Sequence, residues 1–425
     1  MKILIINAGS SSLKYQLIDM DHESIIAKGL VERIGIEGGK LTHKYDGKSY
    51  EVTRDIKDHT EAMNLVLEAL LSKEHGVISS ISEIGAVGHR VLHGGEKFTA
   101  SCIIDQACMD AIEENIPLGP LHNPANLMGI RACQAVMPDT PMVAVFDTAF
   151  HQTMPRTSYL YGVPYEYYEK YHIRRYGFHG TSHRFVSARA LEVLGLKDKP
   201  SKIVICHLGN GSSLSACVDG KCFDTSMGLT PLEGVLMGTR SGDLDPAVVE
   251  CIANNEHLTP SETLNVLNKK SGLLGLSGVS SDMRDVRSAA EEGNEMAKVT
   301  LDIWAYRIRK YIGSYAAAMG GLDAIIFTAG IGENDAEGRA DVLKGLEFLG
   351  VKLDAEKNAR TRGTETEIST PDSSSAGARA ASSRSSAPAP QPRSHTRSPR
   401  RTVAKAPRAR LSEPRGKQAS DCRYT

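Results

Sequence analysis

Two segments of the chain, about two hundred residues apart, repeat one design: an apolar strand, a turn of Gly, Asn and Ser, and an alternating strand. The first copy has its strand at 3–6 and its turn at 7–12, and the second has them at 203–206 and 207–213. Such turns present backbone N–H groups and hydroxyls at one point, which is what a polyphosphate requires. The repeat therefore predicts a nucleotide held between two duplicated domains.

The length of 425 residues exceeds what one hydrophobic core organises and favours about two domains. We expect a first domain at 1–147 and a second at 148–372, the second carrying most of the nucleotide site. The apolar fraction is 41%, and no run approaches the roughly 18 apolar residues of a membrane span. The apolar run at the start is too short for a signal peptide. These features predict a cytoplasmic protein without a membrane anchor.

The end of the chain differs in composition from the rest. Residues 373–425 hold ten Arg and two Lys against Glu413 and Asp421, whereas the whole chain has a net charge of −1, so the remainder is acidic. This segment is also dense in Ser, Ala and Pro. It cannot bury enough apolar surface to offset its chain entropy, and we expect a disordered basic tail.

Strand and helix patterns alternate through the body of the chain, which predicts an α/β fold. Apolar runs predict strands, and apolar residues at helical spacing predict helices. The predicted strands are 40–52, 84–87, 142–146 and 322–328, and the predicted helices are 60–72 and 296–319. Several strands run directly into polar motifs, at the position where open α/β sheets bind ligands.

Two of these motifs place a charge next to a strand in the first half. Arg90 stands between glycines in 88–95 and could bind a carboxylate or phosphate through two parallel hydrogen bonds. The alternative is a surface Arg in a Gly-rich loop. Asp147 follows the strand 142–146 and could orient a nucleophile or hold a metal-bound water; the alternative is a helix N-cap.

Further motifs lie in the second half. His179 lies on a loop of small residues beside an aromatic, although capping or core packing is the usual role of a histidine. Arg240 is a second glycine-flanked arginine, and an Arg from each half would neutralise a phosphoryl group in transit between two substrates. The strand at 325–328 leads into a Gly-rich turn that has G-x-G without the third glycine of a dinucleotide fingerprint, and we expect it to receive adenosine.

The blocks 7–14 and 88–95 resemble the two signatures of the acetate kinase family, and the resemblance covers roughly 1–372. It continues through 122–124, 147–151, 177–183, 207–213, 238–246 and 328–334. The resemblance implies duplicated actin-like, ribonuclease H-like ATPase domains with a cleft between them, as in sugar kinases, Hsp70 and actin. It also implies a cytoplasmic homodimer that reversibly transfers the γ-phosphoryl group of ATP to acetate with Mg²⁺, Mn²⁺ being possible.

The resemblance also implies roles for individual residues. The catalytic residues would be Arg90, Asp147, His179 and Arg240. Acetate would contact Arg90, Leu92, Leu121, His122, Phe178 and Pro231. ATP would contact Ser10, Ser12, Lys14, His207, Leu208, Gly209, Asn210, Gly211, Asp282, Met283, Arg284, Gly330, Ile331, Gly332, Glu333 and Asn334. Asn7 would lie at the metal, whereas the family's late Mg²⁺-binding glutamate has no matching position.

Other functions remain compatible with these residues. A propionate or butyrate kinase is close, because one methylene changes specificity only modestly. The altered end, which suggests a shifted reading frame or a fused segment, could leave an impaired kinase. A nucleotide switch of the Hsp70 or actin kind needs the phosphate turns but not two arginines and a histidine beyond them. A nucleic-acid-binding role for the Arg-rich tail is disfavoured, since it lacks interleaved aromatics.

Overall fold

Two β-sheets organise the chain in this computed structural model, which describes residues 1–120, 122–373 and, as backbone, 378–380. The strands are β1 (Lys2–Gly9), β2 (Ser12–Asp19), β3 (Ser24–Glu32), β4 (Lys40–Tyr45), β5 (Lys48–Thr53), β6 (Ile84–Val91), β7 (Cys102–Ile103), β8 (Met142–Phe146), β9 (Lys202–Leu208), β10 (Ser212–Val218), β11 (Lys221–Thr225), β12 (Ala324–Thr328), β13 (Thr366–Glu367) and β14 (Ala378–Ala380).

Helices connect and cover these strands. The α-helices are α1 (His59–Leu71), α2 (Gln106–Glu114), α3 (Asn123–Val136), α4 (Arg156–Tyr159), α5 (Glu166–Tyr171), α6 (Gly180–Val193), α7 (Pro246–Glu256), α8 (Pro260–Lys269), α9 (Gly272–Ser277), α10 (Met283–Glu291), α11 (Glu295–Met319), α12 (Ala329–Asn334), α13 (Ala336–Leu343) and α14 (Ala355–Arg360). Short 3₁₀ helices lie at Ile81–Glu83, Ile116–Leu118, Ala149–Thr153 and Glu347–Leu349. Among the helices of the described ranges, none has both the length and the apolar character needed to cross a membrane.

The two sheets share one topology. In the first sheet, the strand order β3-β2-β1-β6-β8 has antiparallel pairs up to β1 and parallel pairs from β1 onward. In the second sheet, β11-β10-β9-β12-β14 repeats that order with the same directions. This confirms the predicted α/β fold with duplicated domains. The boundary between the domains at residue 147 stays a prediction.

Both sheets pack against helices, and the second does so on both faces, because Val186 and Ala190 of α6 pack on the face opposite α11. In the first half, Leu4, Leu13 and Leu17 of the β1–β2 hairpin pack in one core with Val66 and Leu70 of α1. In the second half, Leu214 and Phe327 pack with Trp304, Ile308 and Ile312 of α11. Because strand side chains alternate between faces, the opposite face of the β1–β2 hairpin is left to line a cleft.

The helices predicted from periodicity lie where expected. Helix α1 occupies His59–Leu71, with Asp58 at its N-cap accepting from the Glu61 N–H, against a predicted 60–72. Helix α11 occupies Glu295–Met319 against a predicted 296–319, and it ends at Gly320 in the left-handed region. The predicted strand 142–146 is β8.

Four local predictions were wrong in detail. The turn predicted at 207–213 is confined to 209–211, because β9 continues to Leu208 and β10 begins at Ser212. The turn predicted at 7–12 is shorter, because β1 continues to Gly9 and places Asn7 opposite Lys14 within the sheet. The strand predicted at 40–52 is the β4–β5 hairpin, which turns at Asp46 and Gly47, both with positive φ. The Gly-rich segment predicted as a turn after β12 forms the short helix α12.

The tail prediction also needs a correction at three residues. Strand β14, inside the segment 373–425 predicted to be disordered, pairs parallel with β12 and antiparallel with β13. It occupies in the second sheet the place that β8 holds in the first. The rest of that segment, apart from Ser373, lies outside the described residues.

Candidate active site

Arg90 and Asp147 form an ion pair at the carboxyl ends of two neighbouring parallel strands. Arg90 lies on β6 opposite Val145, and Asp147 follows β8, where its N–H donates to the Val91 carbonyl at 2.9 Å. The guanidinium donates from Nε to Oδ1 at 3.1 Å and from Nη2 to Oδ2 at 2.6 Å. The Asp147 side chain is 2% exposed and that of Arg90 is 42% exposed. The guanidinium therefore compensates a buried carboxylate and still reaches the cleft.

This geometry excludes the alternative interpretations of both residues, namely a surface arginine in a loop and a helix N-cap. Arg90 is a strand residue with a buried partner rather than a surface side chain in a loop, and the charge of Asp147 raises the pKa of its guanidinium. Asp147 is not an N-cap, because Thr148 occupies that position for the 3₁₀ helix Ala149–Thr153. The bidentate pair fixes the plane of the guanidinium, as recognition of a planar carboxylate requires.

Two buried amides of α3 hold the backbone that follows Arg90. Asn126 accepts from the Leu92 N–H at 3.0 Å and donates to the Ala8 carbonyl at 3.1 Å. Asn123 accepts from the His93 N–H at 3.1 Å. The two amides thus join β1 and β6 to one face of α3. Neither amide was predicted to have this role, although their spacing of three residues just inside a helix was a usable signal.

His179 is placed by the start of α6. It occupies the N-cap position with φ 58°, and the Gly180 N–H donates to the Asp147 carbonyl at 2.9 Å. A Cβ at Gly180 would lie 2.1 Å from that carbonyl oxygen, so only glycine permits the contact. The first turn of α6 therefore fixes His179 relative to Asp147.

The ring of His179 stacks on that of His207, with centroids 4.2 Å apart. Burial lowers the pKa of His179 well below its ordinary value, and the charges of His207 and Arg90 lower it further. Burial likewise lowers the pKa of His207 to about 4. Both imidazoles are neutral at pH 7, and a neutral imidazole can donate one hydrogen bond without carrying a charge.

Arg240 approaches the same point from the second half. Its Nη1 donates to the Pro231 carbonyl at 3.0 Å. A Cβ at Gly211 would lie 3.4 Å from Arg240 Nη2 and 3.6 Å from His179 Cε1, so guanidinium and imidazole flank the second hairpin turn. His122 stands at the N-cap of α3, and burial, Arg90 and Arg240 lower its pKa.

An apolar cluster lies beside these polar groups. It contains Leu92 and Phe178, both predicted for a small apolar pocket, together with Met227 and Met237. The two methionines were missed, because the sequence gives no signal that separates them from core methionines. Pro231 contacts Arg240 through its carbonyl, and Leu121 lies outside the described residues.

A cavity of about 1110 Å³ connects the two halves. The predicted site residues that line it are Asn7, Lys14, Arg90, Asp147, His179, His207, Gly209, Asn210 and Gly211. The cavity thus has a wall from the face of the first sheet and a wall from the second hairpin. The predicted residues outside its lining are Ser10, Ser12, Leu92, His122, Phe178, Leu208, Pro231, Arg240, Asp282, Met283, Arg284, Gly330, Ile331, Gly332, Glu333 and Asn334.

Two further segments lie close to the second hairpin turn. The Gly238 N–H donates to the Asn210 carbonyl at 2.9 Å, and a Cβ at Gly238 would meet both Asn210 Oδ1 and the Ser281 carbonyl. A Cβ at Gly209 would lie 3.9 Å from the Cβ of Ala329. Both segments therefore border the edge where a nucleotide bound at this turn would extend.

Some side chains of these segments have local partners. Asp282 caps α10 and pairs with Arg284, which lowers the pKa of Asp282 to about 2. The Arg284 side chain is 89% exposed. The buried carboxylate of Glu333 accepts from the Ala329 N–H at 3.1 Å and so holds the start of α12, its own helix.

Two sheets of one topology, with a polar cleft between the matching hairpins, define a duplicated actin-like α/β ATPase fold. The chain belongs to the acetokinase family, whose model matches residues 2–380. It is 62% identical over 374 residues to the acetate kinase of Treponema denticola, covering 88% of this chain and 94% of that protein. It is 59% identical over 375 residues to the acetate kinase of Thermotoga maritima, covering 88% and 93%.

Solved structures agree with this assignment. The acetate kinase of Porphyromonas gingivalis has a TM-score of 0.87 and 46% sequence identity, covering 90% of this chain and 96% of that one. A propionate kinase from Francisella tularensis has a TM-score of 0.83 and 40% identity over the same shares. The family match includes β14 and ends with it.

Proposed function

We propose that this protein is an ATP-dependent acetate kinase, which reversibly transfers the γ-phosphoryl group of ATP to acetate and gives acetyl phosphate and ADP. The observation that carries the proposal is that Arg90, paired with Asp147, and His179 line the cleft, while Arg240 flanks the turn at Gly211 on the same cleft. Relatives at about 60% identity that bear this name support it.

The reaction needs charge neutralisation and alignment more than proton transfer. A carboxylate is ionised at neutral pH, so no base has to activate it. One acetate oxygen forms the bond to the γ-phosphorus while the bond to the β,γ-bridging oxygen breaks, and that electron pair leaves with ADP. Arg90, held by Asp147, binds the acetate, while Arg240 and the N–H of His179 stabilise the equatorial oxygens in flight.

The donors in the cleft fit a magnesium ion that arrives with ATP. Mg²⁺ in nucleotide sites takes most of its oxygens from phosphates and water, with one or two from protein. Asn7 lines the cavity and lies opposite Lys14 in the sheet, and in the described ranges no group of three or more His, Cys, Asp and Glu could hold a metal. Asn7 would hold the ion, with Asp147 nearby; Mg²⁺ or Mn²⁺ would neutralise phosphate charge.

We propose that the triphosphate lies along the two hairpins and the adenosine on the second half. Ser10, Ser12 and Lys14 would border the phosphates, and the turn at Gly209, Asn210 and Gly211 would approach them with its backbone. The segments 282–284 and 330–334 would border the adenosine. We further propose a cytoplasmic homodimer with domains at 1–147 and 148–372.

Propionate is the alternative acid that a specific observation favours. The apolar cluster contains Met227 and Met237, whose flexible thioether chains adapt to a longer acyl group. The Francisella tularensis protein of similar structure is a propionate kinase. One methylene in such a pocket changes the rate by about 10- to 200-fold.

Trapping the acyl phosphate with hydroxylamine tests the proposal. The full chain is incubated with Mg-ATP and acetate, propionate or butyrate, and the hydroxamate is measured. We expect the highest kcat/KM with acetate. A higher kcat/KM with propionate would identify this protein as a propionate kinase instead. No hydroxamate with any acid, from protein shown to be folded by circular dichroism, would contradict the kinase proposal for this chain.

A further inference from the structure

A buried serine joins two histidines behind the proposed reaction centre. Ser213, on β10, has no exposed surface. Its Oγ lies 2.9 Å from Nδ1 of His179 and 2.7 Å from Nε2 of His183. His183 lies one turn further along α6, so the helix presents both rings to one hydroxyl. Neither Ser213 nor His183 has a role in the function proposed above.

The hydrogen bonds that join His183, Ser213 and His179 are compatible with one placement of their protons. The hydroxyl of Ser213 can donate one hydrogen bond and accept two, and each neutral imidazole carries one N–H. The Nδ1 of His183 is buried and has no partner among the described residues. If His183 carried its proton there, a buried N–H would be left without an acceptor, which is rare in native proteins. His183 therefore carries its proton on Nε2 and donates to Ser213.

The proton of Ser213 then decides the tautomer of His179. The hydroxyl donates to Nδ1 of His179, because that is the remaining acceptor within hydrogen-bond distance. Nδ1 is thus unprotonated, and the single N–H of the neutral ring is on Nε2. If His179 instead donated from Nδ1, the Ser213 hydroxyl proton would have no acceptor or would force His183 into the rejected tautomer. When His183 donates from Nε2 and Ser213 donates to His179, both protons between the three side chains have an acceptor.

We propose that Ser213 is a positioning residue that, oriented by His183, fixes His179 as the Nε2–H tautomer and thereby supplies the hydrogen-bond donor for phosphoryl transfer. This inference rests on the proposed kinase function for its consequence, but the tautomer itself does not depend on activity. This hydrogen-bonded relay of His183, Ser213 and His179 transfers no proton during the reaction. It sets which ring nitrogen is a donor, and in enzymes the wrong tautomer can abolish most of the rate.

The tautomer can be measured without turnover. Long-range ¹H–¹⁵N spectra of protein labelled at histidine distinguish a protonated from an unprotonated ring nitrogen, and the His179→Asn variant identifies the signals. We expect Nε2 of His179 to be protonated and Nδ1 to be unprotonated at pH 7. A ring protonated at Nδ1 in the unaltered protein would overturn the proposal, whether or not the enzyme turns over acetate.

The kinetic test uses two serines of the same strand. Ser215 is as buried as Ser213 and also bonds through its hydroxyl, at 3.1 Å to Thr225. We expect Ser213→Ala to lower kcat by about 10- to 100-fold with the KM for ATP and acetate within twofold. We expect Ser215→Ala, which loses a buried hydroxyl away from the histidines, to keep kcat within twofold.

Three outcomes would count against the relay. An unchanged kcat in Ser213→Ala would overturn it, as would equal losses in both variants, which would indicate general damage to β10. A raised KM with an unchanged kcat would assign Ser213 to binding instead. Absence of activity in the unaltered chain would contradict the proposed kinase function alone, since the spectra would still decide the tautomer.

Discussion

Asp147 shows how one buried charge can serve structure and chemistry together. Its carboxylate is almost fully buried and is compensated by a guanidinium that is itself partly open to the cleft. Removing one partner of such a pair leaves the other uncompensated, whereas removing both charges is much less costly. The two roles of the pair can therefore be separated by substitution.

We predict that Arg90→Gln lowers kcat/KM for acetate by at least about 10²-fold. The same variant should lower the free energy of unfolding by about 1–3 kcal/mol, because Asp147 keeps its charge without its partner. Adding Asp147→Asn should restore most of the stability and none of the activity. Urea denaturation and the hydroxamate assay measure the two effects. If the double variant were as unstable as Arg90→Gln, Asp147 would not be the group that destabilises the single variant.

The buried histidines predict an acid-sensitive stability. Burial lowers the pKa of His89, His151 and His207 to about 4, against about 6.5 in an unfolded chain. As the pH falls from 6.5 to 4, the unfolded chain therefore takes up protons that the folded protein does not. Between pH 6.5 and 4, each of these histidines therefore lowers the free energy of unfolding by up to about 1.4 kcal/mol per pH unit of acidification. Above pH 6.5 it has no such effect.

Urea denaturation at pH 7, 6 and 5 checks this expectation. His89→Leu removes one titrating group and should make the loss of stability between pH 6.5 and 4 shallower by up to about 1.4 kcal/mol per pH unit. His257→Asn, at an exposed histidine with positive φ that Asn tolerates, is the control for removing a histidine from the surface. Equal slopes in all three proteins would show that His89 does not titrate as its burial requires.

At this scale the sequence revealed residues that stand out from their neighbours. Arg90 and Arg240 are charges between glycines, and His179 is an imidazole on a loop of small residues. Met237 carried no such signal, and Ser213 was predicted only as part of the turn at 207–213. A buried methionine has the same local pattern in a pocket as in a core, and the role of Ser213 depends on a helix thirty residues earlier.

Helix α6 is the element that connects the two halves of the site. Its first residue, Gly180, touches the backbone of Asp147 from the first half, and its next turns carry His183 toward β10. A side chain at Gly180 would push the helix away from Asp147 and move His179 with it. The position of α6 therefore sets the alignment of the proposed donor.

We predict that Gly180→Ala lowers kcat by at least about 10²-fold, because a misplaced reacting group costs about that much. Stability should also fall, since the added Cβ would meet a backbone oxygen at 2.1 Å. Gly313→Ala is the matched control: its Cβ would point into open space on α11, so it should stabilise by about 0.5–1 kcal/mol and leave activity unchanged. An active Gly180→Ala variant would show that α6 does not align His179.

Strand β14 completes the second sheet beside β12, whose five residues are all buried. We predict that a chain ending after Ala380 unfolds at the same temperature as the full chain. A chain ending after Ser373 should lose a few kcal/mol, at about 1 kcal/mol per backbone hydrogen bond removed, and expose the edge of β12. Differential scanning calorimetry compares the three. Equal transitions for both truncated chains would mean that β14 contributes nothing to the fold.

The sequence predicted elements well where one periodicity dominates. The helical spacing of Trp304, Ile308 and Ile312 located α11 to within one residue at its start. Prediction from the sequence failed where glycine removes the periodic pattern, as in α12, and where strand pairing is non-local, as in β14. The pairing of β14 with β12 depends on the second sheet already being formed, which no local window can show.

At the scale of the whole molecule, the site is built from two halves whose sheets repeat the same strand order. Each half supplies a hairpin, and the arginines come one from each half: Arg90 from the end of β6 and Arg240 from the loop beside the second hairpin. A ligand that bridges the hairpins is thus met by charges from both sides. The repeated strand–turn–strand pattern predicted the two hairpins and the family resemblance implied a cleft between the domains, whereas the side chains that line the cavity required the structure.

The stereochemical course at phosphorus tests direct transfer across this cleft. ATP made chiral at the γ-phosphorus with three oxygen isotopes is reacted with acetate, and the configuration of the acetyl phosphate is determined. Attack by the acetate oxygen in line with the departing ADP predicts inversion. Retention would contradict direct transfer, because it would require a phosphorylated enzyme group between the two substrates.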